Sequence, residues 1–93
     1  MVEVGRMSQE FQKFLEREII PFIEEYKPKN NREQWYCKWK LIPAQKIDAD
    51  TYIALLLKLR EDPSVTWQFK TFLLQIINII YFKYVEPQET KLS

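Results

Sequence analysis

The sequence predicts an all-α fold, a small bundle of about four helices with a long apolar C-terminal helix. Three observations carry that expectation. Gly5 is the only glycine in 93 residues, and hairpins and tight β-turns depend on glycine for positive φ. Prolines stand at positions 21, 28, 43, 63 and 87, mostly where hydrophobic periodicity breaks, as suits helix boundaries. Between them, apolar residues recur at three- and four-residue spacing. The length supports one domain over residues 1–93, with the polar ends, 1–8 and 86–93, expected to fray.

The first helix is expected after Ser8 and up to about Tyr26. Phe11, Phe14, Leu15, Ile19, Phe22, Ile23 and Tyr26 draw one apolar stripe, while Glu10, Lys13, Arg17, Glu24 and Glu25 lie off it. Pro21 removes a hydrogen bond and crowds the preceding turn, so a kink near Ile20 or a restart there is predicted. A second, short helix follows Asn31, which can cap it while Gln34 reaches back in a capping box. It carries Trp35 and Trp39 on one face and ends before Pro43. The third starts at Asp48 or Asp50, with Ile47 and Tyr52 at staple positions if Asp48 is the cap. Tyr52, Leu55, Leu56 and Leu59 form its core stripe, and Asp62-Pro63 ends it.

The fourth helix, over residues 65–85, is apolar around most of its circumference, with Gln68, Thr71, Gln75 and Asn78 on one narrow polar stripe. That pattern fits a central helix or a subunit interface. Its most hydrophobic run, the eleven residues Phe72 to Phe82, would span about 16 Å, roughly half of a bilayer core. A buried helix is the expectation, not a membrane span.

The chemistry of catalysis is sparse. The chain has no histidine, one cysteine and no glycine-rich phosphate loop, so no imidazole base, histidine metal ligand or disulfide is available within it. Cys37 reads as a packed small residue. The carboxylate pairs Glu24–Glu25 and Asp48–Asp50 read as a solvated helix face and a helix start. The expectation is a chain that is not an enzyme and takes no cofactor, metal or small-molecule substrate. The single cysteine and an N-terminus without a long apolar run point to the cytoplasm.

Charge is nearly balanced overall, fourteen Lys and Arg against thirteen Asp and Glu. Locally it is not. Between Lys27 and Lys46 the cations Lys27, Lys29, Arg32, Lys38, Lys40 and Lys46 meet Glu33 alone, six against one, for a local charge of +5. Trp35, Tyr36 and Trp39 are interleaved with them. Lysines and arginines attract a phosphate backbone through counterion release, and exposed aromatic faces stack bases. Trp35 and Trp39 are therefore candidates for stacking, although tryptophans at helical spacing are also ordinary core residues. A lysine-rich surface is likewise common on proteins that bind no nucleic acid.

The stretch Ile47 to Ile80, IDADTYIALLLKLREDPSVTWQFKTFLLQIINII, joins an acid-started, leucine-rich helix through a short loop to a long apolar helix. It resembles the C-terminal helices of large subunits in CRISPR Cascade effector complexes, and the chain as a whole resembles the small subunits of type I complexes. The family has no diagnostic motif, so no residue role transfers from it. The resemblance implies a non-catalytic helical subunit in antiviral defence that stacks with copies of itself and bridges other subunits. Such a subunit steadies guide RNA–target DNA, or the displaced strand, by backbone contacts. The alternative is a helical protein–protein adaptor or oligomerisation module without any nucleic-acid role.

Overall fold

The computed structural model of the chain describes residues 9–43 and 46–87. Among these it consists of helices and their connections, with no strand. Four helices follow one another: α1 over residues 9–25, α2 Asn31–Trp39, α3 Ala49–Arg60 and α4 Trp67–Ile80. Of the ends expected to fray, 1–8 and 88–93 lie outside the described residues, whereas Glu86 and Pro87 are helical.

In α1 the predicted stripe is the buried one. Phe11, Phe14, Leu15, Ile19 and Ile23 are buried, and Phe22 and Tyr26 are partly so. The kink foreseen near Ile20 takes the form of a π turn over Leu15–Ile19, in which the Ile20 N–H donates to the Leu15 carbonyl. An α-helical segment, Ile20–Glu25, then resumes with Pro21 in its first turn. Proline has no N–H to give and its ring crowds the carbonyl four residues back, so a wider turn at this place accommodates it.

The other helices start on side-chain caps. Asn30, not Asn31, caps α2, and its side chain accepts from the N–H of Glu33 at 2.9 Å. The expected capping register is thus shifted by one residue. Asp48 caps α3, accepting from Thr51 N–H at 2.7 Å. Thr66 caps α4, accepting from Phe69 N–H at 3.3 Å. Each cap satisfies a backbone donor that the first turn leaves open. In the connection from α3 to α4, Asp62 accepts from Ser64 N–H at 2.8 Å.

α4 lies at the centre, yet it is not the long helix over residues 65–85, apolar around most of its circumference, that its composition suggested. Its α-helical part is Trp67–Ile80, followed by a second π turn over Tyr81–Val85. Phe69, Phe72, Leu73, Ile76 and Ile80 are buried, while Trp67, Leu74, Tyr81 and Phe82 are exposed. A bundle of only four helices has too few neighbours to cover a fourth helix on every side. Ring contacts trace its partners. Phe22 and Tyr26 of the α1 end stack on Phe72 at 5.1 and 4.4 Å, and Tyr36 of α2 stacks on Phe69 at 6.1 Å. At the other end Tyr84 meets Phe11 and Phe14 at 5.1 and 5.2 Å. The start of α1 therefore faces the end of α4, and the two run antiparallel. From α3, Tyr52, Leu56 and Leu59 complete the core, with Tyr52 edge-on to Phe11 at 5.7 Å. Among the described residues no helix is long and apolar enough to cross a membrane.

Candidate nucleic-acid interface

Helix α2 carries the centre of the basic segment, and its sequence is a poor helix on its own. Nine residues are too few to hold a helix in water, and its inward face offers only Glu33 and Tyr36 as buried residues. Polar contacts anchor it instead. The Glu33 carboxylate is fully buried and accepts from Lys29 N–H at 2.9 Å, Tyr26 Oη at 2.7 Å and Thr66 N–H at 2.7 Å. It thereby ties together the loop before α2, the end of α1 and the start of α4. The Asn30 amide adds a bond to the Ser64 carbonyl at 2.9 Å. Tyr36 donates its hydroxyl to Asp62, and beyond the helix the buried Leu41 accepts from Tyr52 Oη at 2.6 Å.

These contacts set the protonation of the groups involved. Burial by itself raises the Glu33 pKa, but the bonds from Thr66, Lys29 and Tyr26 outweigh it and hold the carboxyl below its ordinary value. Tyr26 is shifted upward by burial and by its bond to Glu33. Asp62 is lowered, chiefly by the hydroxyl of Tyr36. Burial pushes the Cys37 thiol up to about 11, so it is held as the protonated, unreactive form.

With Glu33 and Tyr36 facing inward, helical spacing turns Trp35 and Trp39 outward. They are 46% and 61% exposed. Of the two places that the sequence left open for the tryptophans, core and surface, the structure has the surface. Tyr36 is buried and the indoles are on the surface. The Lys40 ammonium stands 5.3 Å from the Trp35 ring centroid, and that of Lys38 stands 5.5 Å from Trp39. Cation and aromatic face are thus presented together, within the range of a cation–π contact.

The six candidate phosphate ligands are all exposed, but they do not form one cluster. Lys38 and Lys40 stand with the two tryptophans. Lys27 and Lys29 belong to the loop before α2, at the opposite end of that helix. Arg32 is partly engaged, with Nε 3.7 Å from Asp62 and its guanidinium 5.9 Å from the Tyr36 ring. Lys46 is separate, lining a shallow hollow with Gln9, Gln12, Lys13 and Glu16 of α1. No ion pair to another described residue is formed by Lys27, Lys29, Lys38 or Lys40. The one acid of the segment, Glu33, is withdrawn into the interior.

Two residues of this region are not evident from the charge pattern. Glu33 reads in sequence as a lone counter-charge, and its role depends on Thr66, thirty-three positions away. Trp67 sits 77% exposed at the first position of α4, with the Lys70 ammonium 5.7 Å from its ring. An indole beside a lysine one helical turn on was the available signal. Among the described residues no group of three or more His, Cys, Asp or Glu side chains is placed to hold a metal ion. No family model, curated protein or solved structure matches the chain.

Proposed function

We propose that this protein is a non-catalytic nucleic-acid-binding subunit that grips a single-stranded stretch of DNA or RNA through its backbone. The observation that carries the reading is the outer face of α2, where exposed Trp35 and Trp39 each stand beside a lysine with no ion pair to another described residue. On binding, each ammonium moves from its indole to a phosphate, and the freed ring face receives a base. Released counterions drive the first exchange and stacking the second. Neither depends on base identity. In keeping with the resemblance to Cascade small subunits, the protein would work inside a ribonucleoprotein complex in the cytoplasm. It would sit beside other subunits and copies of itself, steadying the guide–target duplex or the displaced strand.

The test is fluorescence anisotropy with labelled single-stranded DNA and RNA over a series of salt concentrations. Affinity should fall steeply with salt, and K38E/K40E should reduce the steepness by about 1.4, two contacts at roughly 0.7 each for single strands. Binding that is unchanged after charge reversal at Lys27, Lys29, Lys38 and Lys40 would remove this surface from the reading.

A second reading, a helical adaptor with no nucleic-acid role, is favoured by one feature. Leu74 of α4 and Tyr81 and Phe82 of the π turn that follows it are exposed apolar residues. It predicts self-association indifferent to salt and no retention on nucleic acid. A monomer by light scattering at high concentration would argue against it.

A further inference from the structure

Trp67 is the most exposed large hydrophobic residue described, at 77%. It borders a concavity of about 400 Å³, open to solvent and lined by Tyr26, Trp67, Gln68, Thr71, Phe72 and Gln75. The lining pairs aromatic surface with two primary amides and the hydroxyls of Thr71 and Tyr26, the latter donated to Glu33, and it contains no carboxylate. Amides and hydroxyls both donate and accept, which matches the mixed edge of any nucleobase. The Lys70 ammonium at the Trp67 ring repeats the pairing seen at Trp35 and Trp39, so every tryptophan of the chain is exposed with a lysine beside it.

This concavity is tied to the surface of α2. Tyr26, which lines it, donates to Glu33, and Thr66, the residue before Trp67, bonds the same carboxylate. Lys27 and Lys29, both exposed, follow Tyr26 in the loop that leads into α2. The hollow therefore lies toward the N-terminal end of α2, while Lys38, Trp39 and Lys40 mark the C-terminal end. The nine residues between span about 13 Å, a distance that a short single strand covers. Glu24 and Glu25, exposed at the end of α1, bound the basic region on the side of the preceding sequence.

We infer that the Trp67 concavity is a second station for an unpaired nucleobase, with Lys27, Lys29 and Lys70 receiving the flanking phosphates. It extends the strand path from α2 onto the start of α4. The inference rests on the nucleic-acid reading above and adds a site to it. It also accounts for Lys27 and Lys29 standing at the opposite end of α2 from Lys38 and Lys40.

The experiment uses the full chain with W35F/W39F, which leaves Trp67 as the only indole. Titration with oligodeoxythymidine should quench its emission, and an abasic oligomer of equal length should not. In the otherwise unaltered chain, Trp67→Ala should weaken binding about 5- to 150-fold, the range for losing one stacked base. Trp67→Phe should restore most of the loss. Because Trp67 is so exposed, a circular dichroism melt is expected to show the Ala variant folded. Silent Trp67 emission with unchanged affinity, while K38E/K40E still weakens binding, would overturn the second station and leave the α2 reading standing. No binding by the intact chain removes both. A change of oligomeric state on Trp67→Ala, with affinity unchanged, would make this surface a protein contact instead.

Discussion

Glu33 is the residue on which most of the candidate site depends, and it contributes as a buried acceptor rather than as a surface charge. Its pKa is lower in the folded chain than the ordinary value of 4.5. The stability it confers is therefore complete above that ordinary value and is lost as the pH falls through the lower, folded-state value. Urea denaturation between pH 7 and pH 3 should show an acid limb that Glu33→Gln flattens. At pH 7 the same variant should lose about 1.5–3 kcal/mol, the scale of a hydrogen bond to a charged group. Cys37 offers a second measurement at this scale. A thiol raised from 9.0 to about 11 has about a hundredfold less thiolate near neutral pH. Alkylation at pH 8 should thus run at least that much slower in the folded chain than in urea. Neither property was visible from residue type alone. Glu33 entered the charge count as a single negative residue, and Cys37 was read only as a packed side chain.

Among the elements, α1 and α3 follow their sequence patterns most closely. The stripe from Phe11 to Ile23 is buried as expected, and Asp48 is the cap of α3. Asp48→Ala should therefore cost about 1 kcal/mol in a urea melt, with little effect on nucleic-acid binding, since α3 carries none of the candidate ligands. Helix α2 departs further. A capping box from Asn31 and Gln34 was a reasonable pattern match, but Asn30 is the cap, and the Glu33 carboxylate accepts from Lys29 N–H and from the start of α4 instead of closing a box. Glu33 and Tyr36, three residues apart, share the face that the core takes up. Their contacts with Tyr26, Thr66 and Asp62 hold that face inward and leave both tryptophans outside.

At the scale of the molecule, α4 is where the packing converges, with rings from α1 and α2 stacked on Phe69 and Phe72. Leu73 is fully buried in that core, so Leu73→Ala should cost about 2–5 kcal/mol. A domain of this size has on the order of 5–14 kcal/mol in total, so a large fall in melting temperature is expected by calorimetry. The binding surface lies on the outer side of this core. Charge reversal at Lys38 and Lys40 should therefore change affinity and salt dependence with less than about 0.5 kcal/mol change in stability. Separate responses of folding and binding to the two kinds of substitution would show that core and surface are independent.

The sequence alone determined that the chain is helical, where its breaks fall, and which stretch is basic. Those are local properties: the scarcity of glycine, the positions of the prolines, the period of the apolar residues and the sum of neighbouring charges. The tertiary structure decided which side of each helix is outermost, and so which aromatic residues are available. An apolar period of three and four marks candidates for burial, but four helices bury only part of that surface. Trp35, Trp39 and Trp67 are left outside because Tyr36, Phe69 and Phe72 occupy the interior, and because Glu33 fixes the rotation of α2 against α4. The dispersal of the six cations has the same origin, since the length of α2 separates Lys27 and Lys29 from Lys38 and Lys40, and Lys46 lies apart beside α1.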